Sequence, residues 1–151
     1  GFKRNATLLD IGSGGGFPSI PIRIFRPDLL VVMAESNKKK TGYLKEVKKE
    51  LKLDNLTIYE GRVEKMTLPE KKFDYVISRG LGSLQTFSQM AKPFVAKDGH
   101  MYTFKTKNFM IELESITSNK EKDGIKISEI AEYDLGNQIL GLNLVSLEII
   151  K

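Results

Sequence analysis

The sequence predicts an α/β fold built on an open, mostly parallel sheet with helices on its faces. Three observations carry that expectation. An apolar run near the N-terminus breaks into a glycine-rich loop followed by a helix start; strand-like and helix-like stretches then alternate with short connections as far as Lys105; and two longer strand-like stretches follow. With 151 residues, 40% hydrophobic and 28% charged, the chain has apolar material for one core, so a single domain over residues 1–151 is expected.

Taken in order, Thr7 to Ile11 is a short apolar run that stops at Gly12-Ser13-Gly14-Gly15-Gly16, the pattern of a buried strand leaving into a tight loop. Pro18 to Phe25, bounded by that loop and by Pro27, reads as a short helix, and Leu30 to Ala34 as a second buried strand ending at Glu35. Lys38 to Leu51 carries Leu44, Val47 and Leu51 at helical offsets. At about 100° per residue, Lys38, Lys45, Lys48, Lys49 and Lys52 gather on the other side of that helix. Leu56 to Tyr59 and Phe73 to Ser78 are the third and fourth strands, and a helix through Leu84 and Phe87 ends before Pro93. Asp98-Gly99 reads as a turn into a strand from His100 to Lys105. Phe109 to Ile116 suits a helix. Ile125 to Tyr133 and Leu142 to Ile150, joined through residues 134–141, suit an antiparallel pair at one side of the sheet, with the second stretch bulged.

Composition narrows the chemistry. Cysteine and tryptophan are absent and His100 is the one histidine, which excludes disulfides, thiolate metal sites, cysteine nucleophiles and histidine-rich metal centres, so no metal is expected. His100, beside a turn, reads as a packing or surface residue rather than a base. No apolar run approaches the roughly 18 residues of a membrane span, and residues 1–6 do not read as a signal peptide, so a cytoplasmic protein is expected. The net charge of +5 is unevenly placed. Residues 1–54 hold 11 Lys and Arg against 6 Asp and Glu, whereas the remainder is balanced. That excess, with the lysine face, fits either contact with nucleic-acid phosphates or an ordinary solvated surface.

The glycine loop is the most informative feature. A strand, a glycine loop and a helix start hold ligands against backbone amides. A nucleoside-triphosphate loop needs Lys-Ser or Lys-Thr at the helix start, and Phe17-Pro18 stands there instead. A dinucleotide fingerprint would place its third glycine at Phe17, which weakens an NAD reading. What remains is Asp10-x-Gly12-x-Gly14-x-Gly16, which resembles the first motif of the class I S-adenosylmethionine-dependent methyltransferases. In that superfamily the loop underlies the amino-acid end of the cofactor, and an acid ending the second strand holds the ribose hydroxyls. Glu35 stands at that place, with a strand-end carboxylate as the plain alternative. Asp10 is expected to cap backbone amides and order the loop.

Leu9 to Pro21, Lys39-Lys40 with Tyr43-Leu44 and Glu50 to Asn55, Gly61-Arg62-Val63-Glu64, and Ile77-Ser78-Arg79-Gly80 together resemble one family in order and spacing. It is the bacterial small-subunit rRNA guanine-N7 methyltransferases, also called glucose-inhibited division protein B. The resemblance implies a class I Rossmann-like methyltransferase with a seven-stranded sheet, acting on 16S rRNA or the assembling small ribosomal subunit. It implies S-adenosylmethionine as cofactor, S-adenosylhomocysteine as product, and cofactor contacts at Gly12, Gly14, Gly16, Phe17, Glu35, Val63, Glu64 and Arg79. Val63 could equally fill the core, and Arg79 could instead meet RNA phosphate or form a surface ion pair. The lysine face would meet RNA. Guanine N7 has a lone pair and no proton, so no general base is expected and alignment carries the reaction. Ser19, Glu35-Ser36 and Thr106 depart mildly from the family pattern, and the sequence reads as lacking the helical segment that the family carries ahead of the glycine motif. A cofactor-fold RNA-binding or assembly module without turnover, and less so an NAD-dependent oxidoreductase, remain the competing functions.

Overall fold

The computed structural model describes residues 1–67, 72–106, 109–118, 124–133 and 142–150. Seven strands form one sheet in the order β3-β2-β1-β4-β5-β7-β6. They are β1 (Thr7–Ile11), β2 (Leu30–Glu35), β3 (Leu56–Glu60), β4 (Phe73–Arg79), β5 (Val95–Thr106), β6 (Ile125–Tyr133) and β7 (Leu142–Ile149). The helices are α1 (Ser19–Phe25), α2 (Lys38–Glu50), α3 (Leu84–Ala91) and α4 (Met110–Ser118), with one 3-10 turn at Val63–Lys65. β1 to β5 pair in parallel, and β7 is antiparallel to both β5 and β6. β6 therefore points the same way as the first five strands, and β7 alone runs against them.

The first strands are apolar almost throughout because both faces of the sheet are covered. Leu8, Met33, Leu44, Leu56 and Ile77 fill one side, where α1 and α2 pack. Val76, Phe87, Phe94, Met101 and Leu147 fill the other, beneath α3 and α4. On the first side a row of rings runs across β4 and β5. Phe2 meets Tyr75 edge-on at 4.7 Å, and His100 stacks at 6.1 Å from both Tyr75 and Tyr102. His100 is thus a packing residue, with its Nδ1 3.3 Å from Glu148.

Four expectations need correction. Asp98-Gly99 is not a turn before a strand but lies inside β5, which starts at Val95. The register with β4 jumps from Phe73↔Val95 to Tyr75↔His100, and Gly99 is required there because a Cβ would sit 2.7 Å from the Asp74 carbonyl oxygen. The bulge expected in the last strand falls on the edge strand β6 instead, between Ile127 and Glu129. The buried stripe of α2 is Thr41 and Leu44, with Val47 partly covered; Leu51 is exposed. Finally, Lys52 lies beyond α2, so its side chain does not follow the helical count. Leu51 caps the helix, Lys52 takes a left-handed φ of 50°, and the Lys52 and Leu53 amides donate to the carbonyls of Lys49 and Lys48. The expected link through residues 134–141 lies outside the described residues. Among the described residues no helix is long and apolar enough to cross a membrane.

Candidate functional site

The alternating glycines have a direct backbone reason. Gly12, Gly14 and Gly16 have φ of 71°, 55° and 94°, the left-handed region that side chains disfavour. The loop they build turns from the end of β1 into α1. Its Gly12 and Ser13 amides both donate to the Ala34 carbonyl, at 2.8 and 3.3 Å, which fastens the loop to the end of β2. The glycines then serve different ends. A Cβ on Gly16 would collide with Ile20 at 2.2 Å, so this glycine lets α1 pack close. A Cβ on Gly15 would meet nothing within 4 Å, so the outer side of the loop is open.

Two buried acids sit under this loop, and the capping expected of Asp10 falls to Glu35. Asp10 does not cap the loop: neither carboxylate oxygen has a hydrogen-bond partner among the described residues, although the residue is fully buried. Burial pushes its pKa up to about 7, while the hydroxyls of Ser19 and Ser13 and the charge of Arg79 pull it down. Neither hydroxyl is in bonding geometry with the carboxylate, since Ser13 Oγ donates to the Asp10 carbonyl at 3.1 Å and Ser19 Oγ has no partner. Glu35 does the capping. Its Oε2 accepts from the Gly14 amide at 2.9 Å and its Oε1 from the Asn37 amide at 2.8 Å. It thereby ties the glycine loop to the start of α2, where Asn37 caps Lys39 and Lys40. A carboxylate offers about four acceptor positions, so both oxygens keep capacity for further donors.

Beside the loop, at the carboxyl ends of β1 to β3, lies a crevice of about 240 Å³ lined by Gly12, Ala34, Ser36, Val63, Glu64 and Leu81, among others. Open parallel sheets bind ligands at this edge. Val63 is buried in the core and also lines the crevice; Glu64 is exposed at the rim. Phe17 and Arg79 form a separate pair outside this crevice, an exposed ring with the guanidinium carbon 5.7 Å from its centroid.

The expected cofactor residues thus divide among loop (Gly12, Gly14, Gly16 and Glu35), crevice (Gly12, Val63 and Glu64) and the separate exposed pair of Phe17 and Arg79. Leu81 and Ser36 were missed, because nothing in the local pattern marks an apolar or hydroxyl loop residue as pocket lining.

The lysine face is less uniform than its spacing suggests. Lys38 and Lys49 are exposed and Lys48 is half-buried. Lys45 Nζ lies 3.0 Å from Glu60, whose carboxyl it and Thr41 hold below the usual range. Lys39 and Lys40 add exposed cations to the first turn of α2, where the helix dipole disfavours them.

The family model described as rRNA small subunit methyltransferase G matches residues 2–140. Two relatives called ribosomal RNA small subunit methyltransferase G are each 33% identical. The one from Aster yellows witches'-broom phytoplasma aligns with 91% of this chain and 66% of its own length; that from Clostridium tetani aligns with 99% and 64%. The chain therefore spans a little under two thirds of those relatives. A solved structure of a SAM-dependent methyltransferase from Aquifex aeolicus superposes with a TM-score of 0.76 over 99% of this chain and 85% of its own, at 17% identity. That likeness establishes a class I methyltransferase fold.

Proposed function

The chain belongs to the rRNA small subunit methyltransferase G family, and on that premise we propose that it moves a methyl group from S-adenosylmethionine to N7 of a guanine in small-subunit (16S) rRNA. The observation that carries this reading is the unpartnered Asp10 carboxyl under an open glycine loop that continues into the Val63–Glu64 crevice. A buried acid without a donor suits a ligand that brings a positive charge, and the α-ammonium of S-adenosylmethionine is one. Glu35 would accept from the ribose hydroxyls while still holding its two amides. Val63 would lie against the adenine, and Glu64 would meet its polar edge.

When bound, S-adenosylmethionine supplies a methyl group on a positively charged sulfur. The protein's part is placement. Guanine N7 carries its lone pair in the ring plane and no proton, so no residue need act as a base, and orientation alone can supply a large share of the rate. Phe17 and Arg79, the separate exposed pair, offer a flat ring and a flat cation to a nucleobase or a phosphate. Lys38, Lys48 and Lys49, with Lys39 and Lys40, would meet RNA phosphates; Lys45 is already paired, and Lys52 reaches them from the end of the helix. Such contacts position RNA without reading its sequence. An rRNA substrate places the reaction in the cytoplasm.

The test is incubation with labelled S-adenosylmethionine and undermethylated small-subunit rRNA, followed by mapping of the modified base. One guanine should be labelled at N7, and S-adenosylhomocysteine should bind where NAD does not. Cofactor binding without transfer would point to an RNA-binding module, and NAD binding to an oxidoreductase. Replacing Lys38, Lys48 and Lys49 by Gln should flatten the salt dependence of RNA binding by up to about 0.7 to 0.9 logarithmic units per lost contact.

A further inference from the structure

Leu81, on the loop that leaves β4 (residues 80–83), lines the crevice together with Val63 and Glu64. Arg79 precedes this loop, and Leu81 leans over the glycine loop so closely that a Cβ on Gly12 would touch Leu81 Cδ1 at 3.5 Å. Its backbone is left-handed at both Gly80 and Gly82, with φ of 75° and 57°. Such a segment has few conformational restraints of its own.

Its restraint comes from elsewhere. Lys105, at the end of β5, is 11% exposed and donates from Nζ to the Gly82 carbonyl. The same Nζ lies 2.9 Å from Glu112 Oε2 in the first turn of α4. That Glu112 oxygen also accepts the Leu84 amide, at the first position of α3, at 2.6 Å. One ion pair therefore joins β5, α4, the start of α3 and the loop between β4 and α3. Helix capping does not need the lysine: Ser83 Oγ accepts from the Thr86 amide, and Glu112 bonds the Leu84 amide directly. What Lys105 adds is the hold on Gly82.

We propose that Lys105, oriented by Glu112, is a positioning residue that sets the 80–83 loop over the methyl-donor crevice and so aligns the acceptor base. The inference rests on the methyl-transfer reading for its kinetic part. Methyl transfer needs nucleophile, methyl carbon and sulfur in line, and a misplacement of about 1 Å can cost about 100-fold in rate. The clasp touches the acceptor-side wall and leaves the Glu35 bonds to the glycine loop intact.

The experiment compares unmodified protein with K105M, K105R and E112Q. K126M, which breaks an exposed ion pair to Glu148, serves as the control. Three quantities are read: amide hydrogen exchange at residues 80–84, S-adenosylhomocysteine affinity, and the kcat and KM of rRNA methylation. K105M should speed exchange at Gly82 and its neighbours and lower kcat by about 10- to 100-fold, with cofactor affinity changed by less than about threefold. K105R keeps a cation and should recover part of kcat; E112Q keeps an acceptor for Leu84 and should lie between; K126M should match the unmodified protein. If removal of the Lys105 charge simply unfolds the protein, the double variant K105M/E112Q, which removes both charges of this pair, should fold and still show fast loop exchange. Unchanged exchange in K105M, or cofactor affinity falling in step with kcat, would overturn the proposal. Should the unmodified protein methylate no RNA, the functional reading fails, and the exchange measurement still decides the clasp.

Discussion

The two walls of the crevice are held by different chemistry. On the proposed donor side, the glycine loop after β1 is fixed by a short, buried carboxylate, Glu35, whose two oxygens each take a backbone amide. On the proposed acceptor side, the loop after β4 is fixed by a long lysine bridging to an acid on α4. Amides of a tight loop have little freedom to move, so the donor wall is rigid. A lysine carries rotamer entropy and holds its loop through one terminal atom, so the acceptor wall can be released. The difference suits a site in which a small cofactor sits deep and a large RNA has to enter and leave.

The largest effect should come from Glu35→Ala. It strands two amides in a buried setting and should lower unfolding stability in urea by about 3 kcal/mol; an unchanged midpoint would mean the donor wall does not depend on this acid. Asp10→Asn should act in the opposite direction. The folded pKa of Asp10 is raised to about 7, above its unfolded value, so its contribution to stability is complete below about pH 4 and is lost as pH rises to about 7. The Asn variant should lose that slope and gain roughly 2 kcal/mol at pH 8. A cation on the loop would draw the proton off Asp10. Binding of S-adenosylhomocysteine should therefore weaken as pH falls below about 7, and Asp10→Asn should remove that dependence. Phe17→Ala breaks the exposed contact between the glycine loop and Arg79 at the end of β4 and should cost under about 1 kcal/mol of stability. Smallest of all, Lys52→Gly relieves a left-handed residue far from both walls and should raise stability by about 0.5 kcal/mol. A loss there would show that the Lys52 side chain makes a contact worth more than the strain.

The donor side was legible in the sequence and the acceptor side was not. The spacing of Gly12, Gly14 and Gly16 reports alternating left-handed backbone, and Thr7 to Ile11 and Leu30 to Ala34 report strands buried on both faces; all of this is local. Glu35 was found by position, but that it and not Asp10 holds the loop could not be, because which acid meets the Gly14 amide depends on how β1 and β2 register, Asp10↔Met33. Lys105 and Glu112 looked like ordinary charges seven residues apart. Only the packing of α4 against α3 and β6 brings them together with Gly82. The same holds for Lys45, whose partner Glu60 is 15 residues away on β3.

The separation of the two walls is tested most directly by titrating S-adenosylhomocysteine calorimetrically into the unmodified protein, Glu35→Ala and Lys105→Met under one buffer at pH 7.5. Affinity should fall by about fivefold or more in Glu35→Ala, corresponding to the loss of about 1 to 3 kcal/mol of charged hydrogen bonding, and stay within about threefold in Lys105→Met. Equal losses in the two variants, or full affinity in Glu35→Ala, would contradict the account.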